Sequence, residues 1–400
     1  MSAVVTLGEA AAHPVGRRLL AEVSVSTVLG ALPGFLFAAC YVSERQSLGS
    51  NGGLPLALTI SGTALGGIIG GILGGNLVNR RAGSKALRFA VCAIGTALLA
   101  AGASRDWAEL GLLVAVTGVA SGVARAVGTA VLATAAGGRS LPTYMSVRQA
   151  FVPASLVIAG LGAAASAELI GWRWTYVGVG FVAFAAGSCI RTSLRTMPVS
   201  EKSGPHSRLP MAVLATAALG LALGLLAEEV LSTYWVVSAV HDGVSVAKAG
   251  VLISLGGLLA ATARVFSGVG ASRAGSREFT ISGASLVLGS TGLLFMAVGT
   301  PAAAVVALVV GFGIGWSWNG VAAAGLVRLC RERLGLAASV EQVSRQAGNL
   351  VAPLFFIWLR NGFGQRSAWL FSAVGCAVAG GLLILAGRTG RLRPVLAVGD

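Results

Sequence analysis

The feature that most constrains this chain is a series of long apolar runs separated by short polar turns. Twelve runs are long enough, at about 20 residues each, to cross roughly 30 Å of hydrocarbon as helices. Of the 400 residues, 55% are hydrophobic and 11% are charged, whereas soluble domains carry about 25% charged residues. Membrane β-barrels show alternating segments of about 10 residues, a pattern that these uniformly apolar runs do not have. The sequence therefore predicts an all-α integral membrane protein.

The predicted spans form two groups of six. The first group comprises residues 19–41, 53–75, 87–104, 110–136, 147–170 and 174–190. The second group comprises residues 211–240, 247–269, 279–299, 301–327, 336–359 and 368–387. A polar, basic segment that contains prolines separates the groups. We therefore predict five parts, which are an N-terminal tail (1–18), a six-helix bundle (19–190), a linker (191–210), a second six-helix bundle (211–387) and a C-terminal tail (388–400).

The two groups repeat the same landmarks at nearly one offset. The basic turn at 81–85 returns at 273–277, which is 192 positions later (273 − 81). The other matched stretches are a glycine-rich stretch at 66–71 and 256–261, an Arg-Gln-Ala stretch at 148–150 and 345–347, and a Gly-x-Arg stretch at 171–173 and 364–366. Repeated landmarks in the same order indicate homologous units. The two bundles are therefore expected to be related by pseudo-symmetry.

The distribution of positive charge predicts the orientation. Nineteen of the 29 lysines and arginines lie on the side of the predicted spans that carries both termini, six lie on the opposite side, and four lie within spans or at their edges. Lysine and arginine accumulate in cytoplasmic loops. We therefore expect a multi-pass protein of the cytoplasmic (inner) membrane with both termini in the cytoplasm.

Several functional classes are disfavoured by the sequence. The net charge of +15 comes from short clusters between spans, without the basic face or aromatic set that nucleic acid requires. The three histidines have no second ligand at metal-binding spacing, and the five cysteines are widely separated. The phosphate-binding pattern GxxxxGK[ST] is missing from the sequence. We therefore expect no metal, no cofactor and no nucleic-acid partner, and a monomer surrounded by membrane lipid.

The basic turn after the second span of each bundle resembles a motif of the major facilitator superfamily, Gly-x-Leu-Ala-Asp-Arg-x-Gly-Arg-Lys. The second copy matches it at Gly268, Arg273, Gly275 and Arg277, with Ser272 at the aspartate position. The first copy, which contains Asn79, Arg80, Arg81, Gly83 and Lys85, fits with one extra residue. Its aspartate position is Asn79 or Arg80, depending on where the gap is placed. The resemblance covers about residues 15–390 and implies a secondary transporter with twelve transmembrane helices in two bundles. Its solute site would lie between the bundles.

The resemblance also raises a question about the gate on the cytoplasmic side. In the family, the motif's aspartate is thought to hold this gate at the start of the eleventh helix, where the helix dipole favours negative charge. Neither copy in this chain supplies that aspartate. We expect that Glu341, at the start of the eleventh span, replaces it by pairing with Arg80 or Arg81.

Three acidic residues in predicted spans are candidates for proton coupling. Glu22 lies one turn into the first span, and Glu228 and Glu229 lie late in the seventh. Acidic side chains are costly inside a membrane and often mark proton pathways. The alternative is that Glu22 reaches the interface beside Arg17 and Arg18, and that the adjacent pair lies outside the bilayer.

Seven residues within spans are candidates for a solute cavity. They are Arg125, Arg148, Gln149, Trp316, Asn319, Gln346 and Asn349. Polar groups that faced lipid would be costly, so these side chains should face the central cavity or a neighbouring helix. Hydrogen bonds between helices alone are the alternative role for them. We expect Arg264, near the second basic turn, to be structural.

These features predict a secondary active transporter that works by alternating access. The arginine and aromatic candidates favour a small organic solute that is amphipathic or anionic. With no ATP motif, we expect proton coupling, and we favour export over uptake. The alternative is a membrane-embedded enzyme that acts on a lipid-soluble substrate.

Overall fold

The computed structural model describes residues 16–49, 54–80, 83–135, 140–165, 171–190, 210–244, 246–331 and 333–391, and these residues form helices joined by short turns. The helices are α1 (Arg17–Leu48), α2 (Leu54–Asn79), α3 (Gly83–Ala101), α4 (Trp107–Ala135), α5 (Leu141–Ala165), α6 (Gly171–Cys189), α7 (Met211–His241), α8 (Val246–Ala274), α9 (Glu278–Met296), α10 (Pro301–Val310), α11 (Asn319–Leu329) and α12 (Leu334–Arg391). No strand occurs within the described ranges. The prediction of an all-α fold is confirmed.

A helix covers each predicted span, with two differences. The tenth span is divided into α10 and α11 by a π-helical turn, Gly311–Gly315. The eleventh and twelfth spans are both contained in α12, which bends at Gly364, where φ is 85° and ψ is 163°. The connection predicted at 360–367 is thus a single residue in left-handed conformation. The same helix continues to Arg391, beyond the predicted end at 387.

The length and composition of the helices fit a membrane. Among the described residues, nine helical stretches are long and apolar enough to cross one, and the last of them, Leu334–Thr389, has 56 residues, enough for two crossings. Helices α3 and α6 fall outside this set and have 19 residues each, which corresponds to about 28 Å at 1.5 Å per residue. The linker prediction lies mostly outside the described residues.

Glycines in left-handed conformation mark equivalent positions in the two halves. Gly171 and Gly364, at φ 74° and 85°, each precede the sixth helical segment of their half and are 193 positions apart (364 − 171). Gly49 and Gly243, at φ 66° and 99°, each follow the first helix of their half and are 194 positions apart (243 − 49). Other residues are strained at such angles. The repeat in the sequence therefore corresponds to a repeat in backbone geometry.

The glycine-rich stretch of α2 has two faces with different neighbours. One face lies on α4 of the same half, where a Cβ at Gly66 would be 2.7 Å from the carbonyl oxygen of Ala115. The other face lies on α12 of the other half, where a Cβ at Gly71 would be 2.7 Å from Cγ of Gln342. Small residues allow helices to approach this closely.

The matching stretch of α8 has the same arrangement. A Cβ at Gly256 would be 3.2 Å from Leu308 of α10, in the same half. A Cβ at Gly257 would be 3.4 Å from the carbonyl oxygen of Pro153 on α5, in the other half. Thus α2 with α12, and α5 with α8, form equivalent contacts between the halves.

The two faces of α2 should respond differently to a small increase in side-chain volume. Gly70→Ala is expected to lower the thermal stability, because its methyl group would enter the backbone of Val119, and forced overpacking costs about 1–3 kcal/mol. Gly67→Ala, on the face towards α12, would have the amide end of the flexible Gln346 side chain as its nearest neighbour and should unfold close to the wild-type temperature. Thermal unfolding of both purified variants, followed by tryptophan fluorescence, checks this difference. Equal losses would contradict the assignment of faces.

Candidate functional site

Buried polar side chains from six helices meet where the two halves are in contact. Helices α4 and α5 contribute from the first half, and α7, α8, α11 and α12 from the second. We refer to this set as the interface cluster; its members are Thr129, Arg148, Gln149, Glu228, Arg264, Asn319, Glu341 and Arg345. Each is less than 9% exposed. Buried polar groups are stable only when they are hydrogen-bonded, so their partners reveal how the halves are connected.

Glu341 on α12 binds both halves through its carboxylate. Its Oε1 accepts hydrogen bonds from Gln149 Nε2 and Arg345 Nη2, each at 3.1 Å. Its Oε2 accepts one from Thr129 Oγ1 at 2.6 Å. Hydrogen bonds to ionised groups are stronger than neutral ones. This single carboxylate therefore connects α12 to α4 and α5 of the other half.

Arg148 on α5 is held by oxygen atoms of the first half. Its Nε donates to Thr27 Oγ1 at 3.2 Å, Nη1 to Thr129 Oγ1 at 2.5 Å and Nη2 to the carbonyl oxygen of Arg125 at 2.8 Å. None of these three acceptors is charged. Because Thr129 in turn donates to Glu341, one hydroxyl group links this guanidinium to the carboxylate of the other half.

Glu228 and Arg264 form a second ion pair in the cluster. Arg264 Nη2 lies 2.5 Å from Glu228 Oε1, and the side-chain amide of Asn319 donates to Glu228 Oε2. Arg264 also donates to two backbone carbonyl groups, those of Gln149 on α5 at 2.7 Å and Trp316 at 2.9 Å. Arg264 therefore connects α8 to the other half through contacts of the structural kind that we expected.

The break in the tenth span makes the carbonyl oxygen of Trp316 available as an acceptor for Arg264. The π turn Gly311–Gly315 and the turn after it interrupt the ladder of helical hydrogen bonds, and such π segments occur frequently at functional sites. Two backbone carbonyl oxygens in this region bind side chains. Arg264 donates to Trp316 O, and Ser267 donates to Ser317 O at 2.6 Å. The glycine-rich sequence of this span therefore contributes directly to the cluster.

Asn319 joins the two ion pairs into one network. While its amide nitrogen donates to Glu228, its Oδ1 accepts from Arg345 Nη2 at 3.0 Å. Arg345 also pairs with Glu341. The hydrogen bonds thus run without interruption from Arg148 to Arg264. Connected buried networks of this kind depend on every member.

The contacts between halves extend from the cluster to the end of the bundle that carries Arg273 and Arg333, which we call the basic end. A Cβ at Gly268 on α8 would lie 2.8 Å from the carbonyl oxygen of Pro142 on α5. Ser272 Oγ, at the motif's aspartate position, is 2.7 Å from Thr143 Oγ1. The two halves are therefore closed against each other at this end.

The predicted latch of Glu341 with Arg80 or Arg81 is wrong for Arg80. The carboxylate binds Thr129, Gln149 and Arg345, and Arg80 is exposed. The physical reason is that Glu341 is buried more than one turn into α12, where cluster donors surround it. Arg81 lies outside the described residues.

The remaining residues of the basic turns are at the surface or in backbone roles. Lys85, Arg273 and Arg277 are exposed, and Gly275 has φ 75°. Asn79 and Gly83 lie at the end of α2 and the start of α3, and their side-chain environment is outside the described part.

The other predicted site residues lie apart from the network. Glu22 accepts from Arg18 Nε at 2.9 Å in the first turns of α1. This contact agrees with the alternative that Glu22 reaches the membrane interface beside Arg17 and Arg18. Gln346 lies against Gly67 and accepts from Asn349 Nδ2 at 3.4 Å. Glu229, which is partly exposed, accepts from Thr233 Oγ1 at 3.2 Å.

Two features had no clear signal in the sequence. Thr129 is an ordinary threonine in an apolar helix, yet it bridges Arg148 and Glu341. Glu44 is fully buried beyond the apolar part of α1 and accepts from Tyr176 Oη at 2.8 Å. The one indication of a buried Glu44 in the sequence was its position close to the end of a predicted span. The sequence did not indicate its partner Tyr176, which is 132 positions away.

Comparisons with known proteins agree with this architecture. A family model described as Major Facilitator Superfamily matches residues 18–353. The solved structure of the proton:xylose symporter XylE, bound to 6-bromo-6-deoxy-D-glucose, is similar with a TM-score of 0.75 and 14% identity over 94% of this chain and 95% of that chain. The transporter FucP in the outward conformation is similar with a TM-score of 0.72 and 14% identity over 93% and 99%.

A third similar structure is a variant of the E. coli fucose:proton symporter FucP, with a TM-score of 0.71 and 14% identity over 92% and 98%. At such low identity these structures show that the fold is shared. The sequence matched none of the curated proteins with which it was compared.

Proposed function

Because the chain belongs to the major facilitator superfamily and is therefore a secondary transporter and not an enzyme, we propose that it moves a small organic solute across the cytoplasmic membrane by proton-coupled alternating access. In this proposal the basic end faces the cytoplasm, as the excess of lysine and arginine predicts. We favour export as the direction.

The observation that carries the proposal is that both halves share one buried ionic network. Glu341 reaches α4 and α5, and Arg264 reaches the backbone of α5, so every one of these bonds crosses between the halves. A rigid-body movement of one half against the other would break these bonds together. This supports two states, one closed and one open at the basic end, which is what alternating access requires.

The three acidic candidates differ in their partners. Glu228 is paired with Arg264, and Glu22 is paired with Arg18 near the start of α1. No lysine or arginine of the described residues lies within 4.0 Å of Glu229, which is partly exposed. A carboxylate without a cation partner in a membrane interior takes up a proton more readily than a paired one. We therefore assign the transported proton to Glu229.

Glu229→Gln is expected to abolish flux driven by a pH gradient while leaving exchange of solute between the two sides. The test uses the purified protein in liposomes with an imposed pH gradient and a panel of labelled neutral, anionic and cationic organic solutes. Glu22→Gln is the matched control, since it removes an acid near the start of α1 that is already paired with Arg18. This variant should transport like the wild type.

The outcomes separate the parts of the proposal. Flux of no solute by the wild type would contradict the transporter function under these conditions. Solute flux by the wild type that is independent of the pH gradient would contradict the proton assignment. Solute flux by the Glu229→Gln variant that still depends on the gradient would also contradict it. The direction is tested by comparing metabolites inside cells with and without the protein, where export predicts depletion of the solute.

A further inference from the structure

The charged groups in and around the interface cluster include more cations than anions. Four arginines, at positions 125, 148, 264 and 345, and three glutamates, at positions 228, 229 and 341, interact with one another there. Two direct ion pairs form, Arg264 with Glu228 and Arg345 with Glu341. Arg148 shares Glu341 through the hydroxyl of Thr129. Among the described residues, Arg125 is the one of these four arginines that neither pairs with a carboxylate nor shares one through a hydroxyl group.

Arg125 lies on α4, ten residues before its end (135 − 125), in the middle of a membrane-length helix. Its Nε is buried and donates to no acceptor. Among the described residues, no carboxylate lies within 4.0 Å of its guanidinium. An unpaired charge in such a place is costly, so an anionic partner would stabilise it.

The surroundings of Arg125 place it between the two halves. Arg125 lies one helical turn before Thr129 on α4, on the same side of the helix, and Thr129 donates to Glu341 of the second half. Arg345, the ion-pair partner of Glu341, is therefore among the charged groups near Arg125. Arg345 likewise has a buried Nε with no hydrogen-bond partner. Part of the Arg125 residue is exposed, although its Nε is buried. Two repelling guanidinium groups, each with a free donor, would both gain from one anion.

We infer that the transported solute is a small organic anion, and that its carboxylate or phosphate group binds Arg125, with Arg345 as the second contact. The inference rests on the proposed transport function and names its class of substrate. A planar guanidinium recognises either anionic group through paired hydrogen bonds, which a lysine cannot reproduce. The anion would supply the counter-charge missing between the halves.

The experiment measures the thermal stability of the full-length protein in detergent with matched probes at constant ionic strength. Benzoate, benzamide and benzylammonium share a ring and differ in charge, and inorganic phosphate and glycerol phosphate test the phosphate arm. We expect an anion to raise the unfolding temperature of the wild type and the neutral and cationic analogues to leave it unchanged. Comparing the unfolding temperature with benzoate and with the two phosphate probes shows which anionic group is bound.

Variants test the residue. Arg125→Met should weaken anion binding at least about tenfold, and Arg125→Lys should recover little of it. Arg105→Met, which removes an exposed arginine at the opposite end of the bundle, is the control and should bind like the wild type. If Arg125→Met does not fold, anion binding by Arg125→Lys, which keeps the charge, is compared with that of the wild type instead.

Three results would overturn the inference: stabilisation by the neutral analogue equal to that by the anion, unchanged binding in the arginine variants, or no stabilisation by any anionic probe. Failure of this inference and failure of the proposed function are distinguishable. Gradient-driven flux of a neutral solute would uphold transport and contradict the anion site. Binding of anions without flux of any solute would support the site and contradict transport.

Discussion

Replacing Glu341 with glutamine should open the basic end of the molecule. The substitution keeps the size of the side chain but removes the charge that holds Arg345, Gln149 and Thr129 together. Hydrogen bonds to charged groups contribute roughly 1.5–3 kcal/mol. Since about 1.4 kcal/mol changes an equilibrium tenfold, the population that is open at this end should rise by roughly ten- to a hundredfold.

A cysteine at position 146 reports this opening. Ser146 is fully buried and lies against Gly268 and Gly320, in the contact between the halves. In a background without the five native cysteines, Ser146→Cys should react slowly with a maleimide, and adding Glu341→Gln should accelerate the reaction. Glu278→Gln is the matched control, because it removes a buried ion pair with Arg328 that lies wholly within the second half. An unchanged labelling rate with Glu341→Gln would contradict the role assigned to this carboxylate.

The second large effect is expected for Arg264→Met. This change leaves Glu228 buried without its cation and deprives the carbonyl groups of Gln149 and Trp316 of a donor. Breaking a buried ion pair by removing one partner costs about 3–5 kcal/mol. We therefore expect a marked drop in the thermal unfolding temperature of the purified protein.

The double variant Arg264→Met with Glu228→Gln separates the ionic effect from lost packing, and it should recover part of the stability because no uncompensated charge remains. Arg328→Met is the comparison, since Arg328 is 30% exposed in its pair with Glu278, and its loss should be smaller. Equal losses for the two arginines, or no recovery in the double variant, would contradict the importance of the Arg264 pair.

Much of the fold was predictable because the membrane imposes simple rules. Apolar length identified a helix at every predicted span, and the repeated Gly-x-Arg stretch located two glycines, Gly171 and Gly364, that share a left-handed backbone. The π turn in the tenth span was not predictable. Several glycines permit it, but the packing of Gly289 against Gly315 is visible only in three dimensions.

The candidate site was predictable in its members and not in its connections. Polar residues in apolar helices must face the interior, and this rule selected Arg148, Gln149 and Asn319. Their partners come from helices distant in sequence, such as Thr129 and Glu341, which are 212 positions apart. The latch with Arg80 failed for this reason, because the position of Glu341 on its helix could not show which other helices surround it.

Distances between spin labels at both ends of the bundle test most directly whether the two halves move against each other. Labels replace exposed Arg80 and Arg333 at the basic end, and exposed Ser47 and His241 at the opposite end. Adding Glu341→Gln should lengthen the distance between the first pair and shorten the distance between the second. Distances that change in the same direction, or a first pair that does not move, would contradict alternating access about the interface cluster.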